Sequence, residues 1–199
     1  MRIKSILTRR SSRPIFGWVV FLVLISCGIV LNKTVSAQTD AWSDGKAALL
    51  TDVNIKKLNA LNAAIAVPTY IPEGYKIRKV DIQEPADDIF AFSFIYANIA
   101  GKTFTIESNN EALGDMAVKR EVKFTNDLFK DSAQETSEFY AGHDEHNAKT
   151  VATEWLCSVT KYQPKTSKSA QCFQLLSTSK SMSPAEAMRI MSSLRYLKR

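Results

Sequence analysis

An alternation of aromatic residues with small or aliphatic residues over 89–97 is the clearest periodic pattern in the chain. Phe90, Phe92, Phe94 and Tyr96 fall on one side of this stretch, and Ile, Ala and Ser residues fall on the other. A period of two residues predicts a β-strand, and two mostly apolar sides predict a place in the middle of a sheet. The aromatic row could serve as a stacking platform for a ligand, but packing in the core explains it better.

Further segments have strand character, the first of them as an edge strand. They are 76–83, 103–106, 122–124, 138–142, 150–160 and 172–176. The polar composition between 107 and 134 predicts mostly irregular structure, with a surface excursion over 126–134. A type I turn at 71–74, with proline second and glycine fourth, leads the chain into the edge strand.

Two segments predict amphipathic helices. In the first segment, apolar residues recur at near-helical intervals, at Leu50, Val53, Leu58, Leu61 and Ile65. This predicted helix ends before Pro68. The second helix is predicted to begin with Ser183 as its N-cap and Pro184 at its first position, and Glu186 completes a capping box. Its buried stripe is Ala187, Ile190, Met191, Leu194 and Leu197. The sequence therefore predicts one α+β domain over 38–199, a curved antiparallel sheet of roughly five to seven strands with the N- and C-terminal helices packed on one face.

The N-terminal segment has the layout of a secretory leader. Residues 15–31 form an uncharged apolar run preceded by five bases. Small residues ending at Ala37 predict cleavage between Ala37 and Gln38. Two alternatives stay open: the run is an uncleaved membrane anchor of minimal length, or Cys27 is the lipidated cysteine of a lipobox. All three interpretations place residues 38–199 outside the cytoplasm, in the periplasm, in the medium or on the outer side of the membrane.

The positive charge of the chain comes from this leader. The sequence has 26 Lys and Arg against 20 Asp and Glu, a formal charge of +6. The first 37 residues contain six bases and no acid, so the remainder is formally neutral. This balance excludes nucleic-acid binding driven by bulk charge, because neutralising phosphates needs surplus bases. A hydrophobic content of 45% excludes a disordered chain.

Cys157 and Cys172 are the only cysteines beyond the leader. An even pair in an oxidising compartment predicts a disulfide. The midpoint between them falls in a stretch rich in Pro, Ser and Lys, 162–171, so a hairpin would place them opposite each other. The alternative is two free buried thiols.

The segment 143–146, His-Asp-Glu-His, is the only concentration of metal-type ligands in the sequence. Gly142 before it and Asn147 after it indicate a solvated turn, whereas a metal site needs three or four convergent ligands. The acid pair Asp87–Asp88 beside a proline also indicates a solvated turn. The sequence contains no nucleophile elbow and no glycine-rich phosphate loop. It therefore assigns no catalytic residue, no metal ligand and no cofactor.

Two separated segments resemble a known family. The segment 68–75, PTYIPEGY, resembles the Pro-x-Tyr-x-Pro-x-Gly-Tyr motif of a bacterial extracytoplasmic family, domain of unknown function 4367. The segment 183–194 is similar to the terminal helix of that family, and Trp155 lies in a strand before it, as an aromatic often does there. The Cys157/Cys172 pair and the loop between them depart from the family pattern.

The resemblance implies an exported or membrane-anchored α+β domain. Some members lie near anti-sigma regulators, and the family has no assigned catalytic residues, so there is no active site to transfer. We therefore expect a non-enzymatic binding or regulatory module of the cell envelope that recognises a protein, a peptide or a lipid. It would bind no nucleic acid and would contact the membrane only through 15–31, if that segment is retained. The alternative is an envelope hydrolase or metal-dependent enzyme that uses His143 and His146.

Overall fold

A computed structural model of the protein describes part of the chain, and this part belongs to the unit Asp40–Arg199. It covers residues 41–61, 63–83, 91–110, 116–131, 136–158 and 171–198. Several predicted features lie outside the described residues: the apolar run 15–31, Cys27, the cleavage site at Ala37 and Gln38, Asp87–Asp88, Phe90 and most of the loop 162–171.

The described residues contain two helices and twelve strands. The helices are α1 (Asp52–Ala60) and α2 (Pro184–Ser192). The strands are β1 (Trp42–Ser43), β2 (Ala66–Pro68), β3 (Tyr75–Gln83), β4 (Ala91–Asn98), β5 (Thr103–Asn109), β6 (Val122–Thr125), β7 (Phe129–Asp131), β8 (Glu138–His143), β9 (Thr150–Thr153), β10 (Leu156–Ser158), β11 (Cys172–Thr178) and β12 (Leu194–Leu197). Neither of these helices has the length and apolar content needed to cross a membrane.

Nine of the described strands form one antiparallel sheet, and the other three form a small mixed sheet. The large sheet has the order β3-β4-β5-β11-β9-β8-β6, and β10 pairs with both β11 and β7. In the small sheet, β12 lies between β1 and β2 and runs parallel to β1. The protein is thus mostly β, with two short helices. The predicted curvature is wrong, because the large sheet is not strongly curled. Among the strands that the structure describes, the outer strands β3 and β6 each have one partner strand.

One face of the large sheet carries the core. On β4, the side chains of Phe92, Phe94 and Tyr96 are buried, so the prediction that the aromatic row packs in the core is confirmed for its described part. The hydroxyl of Tyr96 donates to the carbonyl oxygen of Ala48 at 3.0 Å, and burial raises the pKa of Tyr96. The opposite side of β4 is half-buried, so only one side of this strand is fully covered.

Helix α2 begins as predicted but ends earlier. The side chain of Ser183 accepts a hydrogen bond from the backbone N–H of Glu186 at 3.3 Å, which caps the first turn. Its buried residues are Ala187, Ile190 and Met191. The helix ends at Ser192, and Leu194 and Leu197 are buried in β12 rather than on the helix, because that segment pairs with β1 and β2.

Helix α1 is shorter than predicted. The side chain of Thr51 accepts from the backbone N–H of Asn54 at 3.2 Å, and the helix ends at Ala60, well before Pro68. Val53 is 63% exposed and does not belong to the apolar stripe. The other predicted stripe residues are buried, namely Leu50, Leu58, Leu61 and Ile65. The pairing of β2 with β12 takes the place of a longer helix, so tertiary pairing outweighs the helical pattern.

The predicted surface excursion over 126–134 is only partly right in its described part, because Asp127 and Lys130 are exposed whereas Asn126 and Phe129 are buried. Strand β7 pairs with β10, and Phe129 is fully buried. Asn126 is also buried, and its Nδ2 donates to the carbonyl oxygens of Met191 and Ser192, each at 3.3 Å. A buried amide whose hydrogen bonds are satisfied is stable in a core. The polar composition of this segment therefore did not reveal that Asn126 and Phe129 are buried.

Strand β3 lies at the edge of the large sheet, as predicted. Its register with β4 shifts between Ile77 and Lys79, and such a bulge makes an edge less suitable for pairing with another chain. The turn before β3 lies one residue later than predicted. The N–H of Tyr75 donates to the carbonyl of Pro72 at 3.3 Å, and Gly74, the third turn residue, has φ of 81°. A positive φ at this position is typical of a type II turn.

Candidate functional site

The face of the large sheet opposite the core holds a pocket with a volume of ≈ 260 Å³, which we call the β4 pocket. Strands β3, β4 and β5 contribute most of its walls. The side chains that matter for its chemistry are Asp81, Gln83, Ser93, Glu107, Asn109 and Trp155. A concavity with convergent polar groups and an aromatic ring is the usual form of a small-ligand site.

Strand register builds the pocket. Ser93 of β4 lies opposite Asp81 of β3 on one side and opposite Glu107 of β5 on the other. The next row repeats this arrangement with Gln83, Ala91 and Asn109. Small residues on the middle strand therefore form a floor, and longer residues on the outer strands form walls. Because neighbouring strands lie about 4.8 Å apart, the backbones of the two walls are roughly 10 Å apart, which leaves room for a ligand.

Trp155 lines the pocket at a break in the predicted strand 150–160. Strand β9 ends and β10 begins three residues later, so that Glu154 and Trp155 lie outside the ladder. Along β11, the pairing register advances by one residue from β9 to β10, as it does at a β-bulge. The carboxylate of Glu154 accepts from the backbone N–H of Tyr140 at 2.9 Å, which anchors the bulge to β8. The bulge thus determines where Trp155 is placed.

Buried hydrogen bonds fix β11 beside the pocket. Gln174 lies opposite Glu107, and its Nε2 donates to the carbonyl of Thr153 at 2.8 Å. The hydroxyl of Thr153 in turn accepts from the backbone N–H of Leu175 at 3.1 Å. A buried polar network with satisfied partners is rigid. Thr153, two residues before Trp155, is therefore held in place.

Two carboxyl groups line the pocket. Glu107 is half-buried, and burial raises the pKa of its carboxyl group above the usual value. Asp81 Oδ2 lies 3.0 Å from Lys79 Nζ, with the two side chains 40% and 57% exposed, respectively. An exposed ion pair of this kind contributes about 0–1 kcal/mol, so a ligand can compete with Lys79 for the Asp81 carboxylate.

Cys157 and Cys172 form a disulfide, as the sequence predicted. They lie directly opposite each other in β10 and β11, and both are buried. Cys172 also lies opposite Asn109 of β5, and Cys157 is two residues from Trp155. The crosslink therefore borders the pocket and ties down the strand that follows Trp155.

His143 and His146 do not line the pocket. The Nδ1 atom of His143 lies 2.8 Å from Glu121 Oε1, and hydrogen bonds from the side chain and backbone of His143 lower the pKa of Glu121. His146 is exposed in the turn between β8 and β9, where its backbone N–H donates to Asp144 at 2.9 Å. Within the part of the chain that the structure describes, no three His, Cys, Asp or Glu side chains are grouped to hold a metal ion.

The two segments that carry the family resemblance contact each other. The hydroxyl of Thr69 donates to the carbonyl of Ser193 at 2.8 Å, and the backbone N–H of Tyr70 donates to the Ser193 hydroxyl at 3.0 Å. The guanidinium of Arg189 lies 4.3 Å from the centre of the Tyr70 ring. The motif before β3 and the end of α2 thus form one structural unit, which is separate from the lining of the β4 pocket.

Comparisons with protein-family models, with curated proteins and with solved structures find no match to this chain. The resemblance to domain of unknown function 4367 therefore stays a prediction. The function has to be argued from the geometry of the described residues.

Sequence reasoning found Trp155 only through the resemblance, and it missed the two carboxyl groups. A signal was present for Glu107, because alternation along 103–109 puts it on the side opposite Phe104 and Ile106. Asp81 gave a weaker signal, since the bulge in β3 breaks the alternation before it. The rows that make the pocket depend on strand register, which the sequence pattern alone does not determine.

Proposed function

We propose that the protein is an exported, non-enzymatic binding or regulatory module of the cell envelope, and that it holds its ligand in the β4 pocket. The observation that carries this proposal is the row Asp81, Ser93, Glu107, in which a small floor residue separates two carboxyl groups beside Trp155. In this proposal both helices cover the apolar face of the sheet, and the ligand, part of a protein, peptide or lipid, occupies the other face.

Export is supported by the leader pattern and by the disulfide. Structural disulfides persist in oxidising compartments, whereas the cytosol keeps thiols reduced. In this proposal, residues 1–37 direct the domain across the membrane and are cleaved off after Ala37. The Cys157–Cys172 crosslink then forms outside the cytoplasm.

Binding is favoured over catalysis by what lines the pocket. The enzyme alternative uses His143 and His146, and neither of them reaches the β4 pocket. Of the two serines at the pocket, Ser108 lacks the free hydroxyl that a nucleophile needs. The hydroxyl of Ser108 already donates to the carbonyl of Cys172 at 3.1 Å. These side chains are arranged to hold a ligand.

Fluorine NMR of the full-length protein labelled with fluorotryptophan tests the proposal. The chain has three tryptophans, and Trp155→Phe assigns the signal of the pocket. The probes are capped single amino acids with cationic, anionic, polar or apolar side chains, and a short-chain phospholipid. We expect at least one class to shift the Trp155 signal and to leave that of Trp42, which packs near Tyr196 in the small sheet, unchanged. If no probe class shifts the Trp155 signal, the proposal is wrong.

A pair of variants on β4 makes the test specific. Ser93→Phe fills the pocket from its floor and should abolish binding. Ala97→Phe adds the same ring to the same side of the same strand but outside the pocket lining, so it should leave binding intact. Equal loss in both variants would contradict a site at the β4 pocket.

A metal measurement tests the enzyme alternative directly. Replacing both His143 and His146 by Ala should change neither ligand binding nor zinc content. Stoichiometric zinc in the parent protein that disappears in the double variant, together with loss of function in the strain, would overturn the binding proposal in favour of the enzyme.

A further inference from the structure

The charged side chains that line the β4 pocket in the described residues all have the same sign. Asp81 and Glu107 are the charged side chains among the described residues that line it, and both are acids. They stand on opposite walls, with Ser93 between them. Lys79 is paired with Asp81 but does not belong to the lining. A ligand that enters between the walls therefore meets a negative group on each side.

Burial dominates the environment of the Glu107 carboxyl group. Loss of water around this half-buried group penalises the charged form, and this raises its pKa. A cation beside the carboxylate favours the charged form and reverses that penalty. An anion in the same place would increase the penalty, because like charges in a desolvated site repel each other strongly. The electrostatics of the wall thus select for positive charge.

Trp155 adds an aromatic surface to the two carboxyl groups. Tryptophan is the side chain that attracts cations best over the face of its ring. The pocket volume of ≈ 260 Å³ lies just below the range of about 300–1,000 Å³ in which drug-sized ligands are held. This size suits one amino-acid side chain or a small amine.

We propose that the β4 pocket binds a positively charged organic group, an alkylammonium or a guanidinium. This inference rests on the proposed binding function and names its ligand class. The cation lies between the carboxylates of Asp81 and Glu107, against the indole of Trp155, and displaces Lys79 from Asp81. Two sources carry this chemistry: a free small amine, or a lysine or arginine side chain of a peptide.

Calorimetry on the full-length protein tests the ligand class with matched probes. The cation is N-α-acetyl-lysinamide, its neutral isostere is the amide of N-acetyl-2-aminoheptanoic acid, and n-butylammonium is the free amine without a peptide backbone. We expect the cations to bind and the isostere to bind at least about tenfold more weakly, as loss of a charged hydrogen bond predicts. Tighter binding of the lysinamide than of n-butylammonium assigns the pocket to peptides, and the reverse order assigns it to free amines.

Variants separate the role of charge from that of structure. Glu107→Gln should weaken the binding of the lysinamide by about tenfold or more, and Asp81→Asn by about twofold to fivefold. Lys79→Met should strengthen binding by about twofold to fivefold, because it removes the competing cation. Glu138→Gln is the matched control, since Glu138 pairs with Lys123 and does not line the pocket. A merely structural role of these groups predicts no gain from Lys79→Met.

The possible results distinguish failure of the cation proposal from failure of the proposed binding function. Binding of neutral or anionic probes with no preference for cations would overturn the cation proposal and leave the binding module intact. Silence of every probe class in the fluorine NMR experiment would overturn both. The affinity for the lysinamide should also rise with pH as Glu107 ionises, and an affinity that falls over that range would contradict the proposal.

Discussion

The disulfide that borders the pocket should supply a large part of the stability of the domain. Cys157 and Cys172 are separated by 15 residues, and a closed loop of that size restricts the unfolded chain by about 3 kcal/mol at 25 °C. For a domain of this size, 1 kcal/mol corresponds to about 2–4 °C in Tm, so reduction should lower Tm by roughly 6–12 °C. The same treatment should raise the m value, because the reduced unfolded chain exposes more surface.

Urea titration of three forms of the protein measures this effect: oxidised, reduced and the double variant Cys157→Ala/Cys172→Ala. The reduced form keeps both sulfur atoms, so its difference from the oxidised form isolates the crosslink. The double variant should be less stable than the reduced form by about 1 kcal/mol, because both cysteines are buried and each loses a packed atom. Equal unfolding midpoints for the oxidised and reduced forms would refute the argument. Ligand affinity should fall with reduction, since the crosslink ties down the strand beside Trp155.

Further substitutions test the packing of the sheet and the loss of stability caused by burying the Glu107 carboxyl group in the pocket. Tyr96→Phe removes the buried hydrogen bond to the carbonyl of Ala48 and should cost about 1–2 kcal/mol in the free energy of unfolding, measured in urea. Gly142→Ala should prevent folding or cost more than about 3 kcal/mol, because a Cβ at this position would lie 1.8 Å from the carbonyl oxygen of Lys119; circular dichroism of the purified variant tests this. Glu107→Gln should raise Tm at neutral pH, where the wild-type carboxylate is ionised against the penalty of burial. The folded-state pKa of Glu107 is raised, so that penalty is absent at pH values below the unfolded pKa, and the gain in Tm over wild type should disappear there.

Features set by local chemistry were predictable from the sequence. Ser183 caps helix α2 because its side chain accepts a hydrogen bond from the backbone N–H of Glu186 in the first turn. The aromatic row on β4 is buried because a period of two residues puts all of its described members on one face. The pairing of Cys157 with Cys172 follows from their being the two cysteines beyond the leader.

Features set by distant pairing were not predictable in the same way. Helix α2 stops at Ser192 because β12 inserts between two short strands from the other end of the domain. Asn126 is buried because its partners are the carbonyl groups at the end of α2. Each of these contacts depends on the completed topology, and residue type alone favoured a longer helix and an exposed loop.

The candidate site was predictable only in part. Alternation along β5 predicted that Glu107 lies on the open face. Its position in one row with Ser93 and Asp81 was not predictable, because it depends on how three strands align. The bulge at Trp155 interrupts a segment whose composition favours a continuous strand. The shape of the candidate site therefore depends on strand register and on one inserted residue, which propensities do not encode.

The small sheet has a consequence for how the protein folds. Strand β12 pairs with β1 through Trp42 and Tyr196, positions about 150 residues apart in sequence, and it also pairs with β2. Closing so long a loop is entropically costly, so these pairs should form after the hairpin of β3 and β4, whose partners are close in sequence. Until β12 docks, β1 and β2 have no strand partner in the described residues. We therefore expect docking of β12 to be a late step in folding, and its rate should set how long β1 and β2 can pair with wrong partners.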